Sequence, residues 1–130
     1  GKMVTPSGVA AALCLGADCV NTARGFMFSL GCIQALQCNN NTCPTGITTH
    51  DKDLQKGLDP VLKATRVANY ANGILHEVTT MAHSCGVFNP HELGRQHAYI
   101  VNDAGLPEPL IKHYPHVPTR AELLTDIASK

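Results

Sequence analysis

The sequence predicts an α/β chain: the tail of a repeating βα pattern, then a cysteine-bearing loop, then a mostly helical C-terminal extension. Three observations carry this expectation. Residues 1–36 read as α/β material in the order helix, strand, helix, joined by short links. Residues 37–50 break that regularity with turn-forming residues and cysteines. Residues 51–130 place apolar side chains at helical spacing behind clear start signals.

The elements follow in chain order. Thr5-Pro6-Ser7 is a helix start with Pro6 at the first helical position. The run Val9 to Leu15 continues it to a stop at Gly16. Ala17 to Thr22 is a short strand candidate, and the apolar stretch Phe26 to Leu36 is expected as helix. The loop from Gln37 to His50 holds Asn39-Asn40-Asn41, Pro44 and Gly46.

Asp59-Pro60 opens the clearest helix, with Asp59 as N-cap. Val67, Ala71, Ile74, Leu75, Val78, Met81 and Ala82 carry its period to Ser84, with Gly86 beyond the end. Gly73 costs this helix about 1 kcal/mol against alanine. Asn89-Pro90 starts a shorter helix through Gly94, and Ala98 to Val101 is a small strand or an extension. Leu106 to Pro118 is proline-rich and expected to be irregular. Thr119 to Ala128 is a final helix with a Thr119–Glu122 capping box. The chain opens as if inside a strand-to-helix turn and has too few strands to close a sheet, so it is expected to be part of something larger.

Composition narrows the function classes. The 130 residues are one domain by length, 44% hydrophobic and 15% charged, with formal net charge zero. No bulk charge attracts nucleic acid or an anionic membrane. No apolar run reaches the roughly 18 residues of a membrane span. The start, Gly1 to Gly8, lacks signal-peptide architecture. Six cysteines without a secretory signal suggest a cytoplasmic protein whose clustered thiols bind metal or do redox work.

Cys32, Cys38 and Cys43 form the pattern C-x5-C-x4-C, followed by Pro44 and Gly46. Thiolates are the usual ligands of iron–sulfur clusters, and three suit a three-iron cluster, one on each iron. Zinc is a rival, with His50 as a fourth ligand, although zinc loops more often begin with a closer cysteine pair. Buried free thiols are the third reading. On residues alone all three stay open. Cys14 and Cys19 are expected in the core. Cys85, at a helix C-terminus that does not favour a thiolate, is expected to pack or to neighbour the cluster. His76, His83, His113 and His116 lack a zinc-enzyme spacing and read as structural. Lys63, Arg66 and Glu77 read as a solvated helix face.

Longer strings of residues carry a resemblance. They are Leu15-Gly16-Ala17-Asp18, Ala23-Arg24-Gly25-Phe26-Met27, Gly31-Cys32-Ile33-Gln34, Cys38 and Asn41-Thr42-Cys43-Pro44-Thr45-Gly46-Ile47. His50-Asp51, Gly57-Leu58-Asp59-Pro60 and His83-Ser84-Cys85-Gly86 extend them. Together they closely resemble the FMN-binding domain of glutamate synthases, most of all the stand-alone related FMN proteins of bacteria and archaea.

The resemblance implies a (β/α)8 TIM barrel with FMN at the C-terminal strand ends, of which residues 1–36 are the last two βα units. It implies a 3Fe-4S cluster on Cys32, Cys38 and Cys43 that passes electrons to the flavin. The flavin then delivers a hydride to 2-iminoglutarate, formed from 2-oxoglutarate and ammonia. The implied partners are the remainder of the barrel, an amidotransferase domain or subunit that releases ammonia from glutamine, and an electron donor, either ferredoxin or an NAD(P)H-oxidising subunit. Barrels of this type hold phosphate in the loops after strands seven and eight. Those loops here are Gly1-Lys2 and Ala23-Arg24-Gly25, where backbone N–H groups and the Arg24 fork suit an anion. Lys2 stands where better-known members carry a second glycine.

No catalytic residue is assigned to this chain, and alone it is expected neither to bind FMN nor to catalyse. The apolar faces of residues 6–36 are expected to be exposed, so that the chain either self-associates or has a disordered N-terminal region. A non-catalytic zinc-binding or interaction module is the other functional class.

Overall fold

The computed structural model describes residues 1–115. Helix α1 spans Pro6–Cys14. Thr5 caps it from an extended backbone, and its Oγ1 accepts from the Gly8 N–H at 3.3 Å. Gly16, at φ 101°, turns the chain away from the helix end.

The expected strand at Ala17–Thr22 does not form; these residues run as irregular chain into helix α2, Ala23–Leu30. A strand exists only where a neighbour completes its hydrogen-bond ladder, and the described residues supply none beside this stretch. Cys19, expected in the core, is consequently exposed. Helix α2 also stops earlier than its apolar run suggests. Gly31 takes φ 101°, its N–H bonds Phe28 O, and the Cys32 N–H bonds Met27 O. This left-handed cap ends the helix before Cys32 and releases residues 32–36 as loop.

Helix α3, Lys52–Gln55, is a single turn capped by Asp51. Helix α4, Pro60–Ser84, is the spine, and its bounds match the reading from sequence. Asp59 Oδ1 accepts from the N–H groups of Val61 and Leu62 at 2.9 and 3.2 Å. Gly73 faces open space, so no packing demand explains it.

After α4 the chain makes two 3-10 turns, Pro90–Glu92 and Arg95–His97, in place of one helix through Gly94. Strand β1, Tyr99–Val101, pairs antiparallel with β2, Pro107–Pro109, with Ile100 opposite Glu108. Asn102 closes the connection: its Oδ1 accepts from the Ala104 and Leu106 N–H groups at 3.0 and 2.9 Å. Helix α5, Leu110–His113, follows directly. Part of the proline-rich stretch is therefore ordered, because its prolines sit where β2 owes no ladder donor. The expected helix over 119–128 lies outside the described residues.

The core joins Ala10, Leu13 and Cys14 of α1 to Val78 and Ala82 of α4, with Leu93 and Leu110 closing it. Val78 and Ala82 lie one turn apart on the α4 face that meets α1. Each fully buried aliphatic side chain of Val or Leu size contributes about 1.5–3 kcal/mol. The fold class is α/β, mostly helical, with one small hairpin sheet among the described residues. No helix in this part is long and apolar enough to cross a membrane.

Helix α2 docks on α4 through Tyr70. Its ring meets Phe26 edge-on, with centroids 5.2 Å apart. Its hydroxyl donates to Val4 O at 3.0 Å and lies 3.4 Å from Thr22 Oγ1. Gly25 is buried beneath that hydroxyl: an added Cβ would stand 1.9 Å from Tyr70 Oη. Lys63 approaches Gly31, placing a cation at the negative end of α2 rather than on a plain solvated face.

Candidate functional site

Residues 31–50 form a tight loop built on left-handed turns. Gln34 and Leu36 take φ 57°, and Asn41 takes φ 61° at the end of the 3-10 turn Cys38–Asn40. Such values in residues other than glycine carry strain and gather at functional segments. Hydrogen bonds hold the loop in this shape. Thr49 Oγ1 donates to Asn41 O at 2.7 Å, and the His50 N–H donates to Asn41 Oδ1 at 2.6 Å. Gln55 Nε2 reaches back from α3 to Thr49 O at 2.8 Å. Gly46, at φ 74°, lies so close to α3 that an added Cβ would stand 2.2 Å from Leu54 O. Only glycine satisfies both constraints.

This loop closes over one cavity of about 590 Å³. Cys32, Cys38 and Cys43 all line it. So do Gly1, Lys2, Ala23 and Arg24, four of the five residues expected around a phosphate. The fifth, Gly25, does not; it is the packing glycine under Tyr70. Lys2 takes φ 65°, a conformation glycine adopts without strain. The lining carries two cations, Lys2 and Arg24, and no Asp or Glu. The N-terminal turn of α2 opens beside it without a side-chain cap from Thr22. All three features favour bound negative charge.

The thiols differ in environment. Cys43 is buried, and Thr45 Oγ1 lies 3.3 Å from its sulfur. The Thr45 hydroxyl first, then the Thr48 hydroxyl and backbone, which lie near the sulfur without Thr48 Oγ1 completing a hydrogen bond to it, pull this thiol down to about 6. Cys32 Sγ accepts from the Gln34 N–H at 3.5 Å, and Cys38 is exposed. Cys14 goes the other way: burial, then the nearby Cys85, raise its thiol above the ordinary value. Cys85 thus neighbours Cys14 and does not line the cysteine cavity.

Three thiols on one cavity wall are the ligand type that iron–sulfur clusters take. Among the described residues no three of His, Cys, Asp and Glu are grouped to hold one ion. His50, the expected fourth zinc ligand, does not line the cavity. A cluster asks one thiolate of each iron and so accepts sulfurs spread around a wall. Thr48 adds a sign of its own. Its Oγ1 is buried without a hydrogen-bond partner, and an unsatisfied buried polar group costs about 1–3 kcal/mol.

Sequence reasoning missed Tyr70, Thr48 and the Thr49–Gln55 clamp. Thr45, Thr48 and Thr49 lie within six residues of Cys43, and hydroxyls near a ligand cysteine were the available signal. Tyr70 had none, since its partners lie 48 and 66 residues away.

Comparison with known proteins bears on the same stretch. The chain is 44% identical over 105 residues to the glutamate synthase large subunit-like protein YerD of Bacillus subtilis, covering 81% of this chain and 20% of that protein. It is 37% identical over 76 residues to an archaeal glutamate synthase (NADPH) of Methanocaldococcus jannaschii, covering 58% and 15%. It is 32% identical over 108 residues to an archaeal-type glutamate synthase (NADPH) of Thermotoga maritima, covering 83% and 21%. The chain thus spans between 15% and 21% of the length of these relatives. No solved structure matches it. The family described as a conserved region in glutamate synthase matches residues 1–88, which include all three loop cysteines and every cavity residue named above, and this chain belongs to the glutamate synthase family.

Proposed function

We propose that this chain is part of a cytoplasmic glutamate synthase-type flavin and iron–sulfur oxidoreductase. Its own contribution is a 3Fe-4S site made by Cys32, Cys38 and Cys43, which relays electrons to FMN. The remainder of an FMN-binding barrel, an amidotransferase domain or subunit, and a ferredoxin or NAD(P)H-oxidising subunit complete the activity. When bound, the cluster supplies one-electron transfer and FMN supplies hydride transfer, so that 2-oxoglutarate, glutamine-derived ammonia, two electrons and two protons become glutamate and water.

One observation carries this reading: three thiols and two cations share one cavity free of acidic side chains. Cys43 would bind as thiolate with little proton cost near neutral pH, because hydroxyls already stabilise its charge. Lys2 and Arg24 would offset the charge of the flavin phosphate, with the uncapped first turn of α2 adding its N–H groups. The left-handed cap at Gly31 aims the chain so that Cys32 faces the loop instead of continuing α2.

Anaerobic loading with iron and sulfide tests the reading. The expected result is broad visible absorbance with a three-iron electron paramagnetic resonance signal, abolished by Cys38→Ser. Full retention of the signal in that variant overturns the assignment. One equivalent of zinc with no acid-labile sulfide would instead establish the zinc-binding module.

A further inference from the structure

Among the described residues one buried side-chain oxygen or nitrogen has no hydrogen-bond partner, and it is Thr48 Oγ1. Thr48 lines the cavity that holds all three loop cysteines. The adjacent hydroxyl shows that this stretch satisfies its donors when the protein supplies an acceptor: Thr49 Oγ1 donates to Asn41 O at 2.7 Å. Thr45 Oγ1, three residues before Thr48, lies 3.3 Å from Cys43 Sγ. Sulfur is a weak acceptor as a neutral thiol and a much better one as a ligating thiolate. A hydroxyl left without a partner beside a cysteine-lined cavity therefore points to a sulfur that carries negative charge in the working state.

We infer that Thr48 is a positioning residue for the bound cluster, its hydroxyl donating to the ligating sulfur of Cys43 and raising the cluster's reduction potential. The inference rests on the iron–sulfur reading above. Adding one electron places more negative charge on the cluster and its thiolates. A donor to a ligating sulfur stabilises that reduced state more than the oxidised one, so the potential rises. Thr45 and Thr48 would then both serve Cys43. Cys32 receives one long backbone contact, from the Gln34 N–H at 3.5 Å.

The test is a dithionite titration of the reconstituted protein, followed through the three-iron resonance signal. Thr48→Val removes the donor at nearly constant shape, and Thr48→Ser keeps it. The valine variant is expected to disfavour reduction about tenfold, which is about 59 mV for one electron, with the serine variant at the wild-type midpoint. Should the valine variant lose the cluster, Thr48→Ala is titrated in its place with the same expectation. Equal midpoints in wild-type and valine proteins, both fully loaded, overturn the role of Thr48 and leave the cluster reading standing. A serine variant displaced as far as the valine one also overturns it, since shape and not donation would then matter. A wild-type protein that takes up no cluster overturns both.

Discussion

The α1–α4 body buries a continuous set of apolar side chains, from Ala10 and Leu13 to Val78, Ala82 and Leu110. The cysteine loop buries only Cys43, Gly46 and Thr49 and is held by hydrogen bonds and left-handed turns. The body can therefore relax around a changed side chain, whereas the loop depends on a few exact partners. That contrast suits a ligand site, because a loop fixed by directional bonds presents its sulfurs in one arrangement. It also predicts that damage to the body is global and damage to the loop local.

The largest effect is expected from the body. Leu13→Ala should cost about 2–5 kcal/mol of global stability, read by chemical denaturation. A loss below about 1 kcal/mol would mean that α1 is not anchored through this side chain. Next comes Gly46→Ala in the loop. Its positive φ alone costs about 1–3 kcal/mol, and the new Cβ must also displace Leu54 O. Amide exchange should accelerate over residues 43–55 while residues 60–84 keep their protection. Equal acceleration in both would erase the distinction between the regions.

Tyr70→Phe is expected to be milder, about 0.5–1.5 kcal/mol, because the ring stays and only the hydroxyl's contacts with Val4 O and Thr22 are lost. Its denaturation midpoint should fall without a change in slope. The smallest effect concerns the hairpin. Asn102 first, then His113 and Lys112, hold Glu108 down to about 2. His113 Nε2 lies 2.6 Å from Glu108 Oε2 and Asn102 Nδ2 lies 2.9 Å from Oε1. A carboxyl depressed in the folded state adds stability above its unfolded value of about 4.3 and loses it as pH falls toward 2. Glu108→Gln should flatten the acid limb of hairpin stability, followed through the Asn102 side-chain resonances. An unchanged limb would show that the cluster adds nothing.

The local signals of the sequence proved dependable where they act within a few residues. Thr5-Pro6 and Asp59-Pro60 start α1 and α4 as read, and Gly16 and Gly86 lie just past their ends in left-handed conformations. The C-x5-C-x4-C spacing singled out three cysteines that do line one cavity. Gly31 was the local signal that the reading of Phe26–Leu36 as continuous helix overlooked.

The helix starts, the turn-rich loop and the grouping of the cysteines were thus determined by the sequence itself, because capping, proline geometry and positive φ are properties of neighbouring residues. Only the tertiary structure decided the rest. Residues 17–22 had strand composition but no partner ladder, and Cys19 lost its burial with it. Gly25 proved to be a packing residue because Tyr70 arrives from 45 positions away on α4. Thr48 stands apart from Thr49 only because the fold gives one hydroxyl an acceptor and leaves the other beside the cysteines. Ladder pairing, burial and hydrogen-bond satisfaction depend on which distant segment lies alongside, and that is a property of the folded chain.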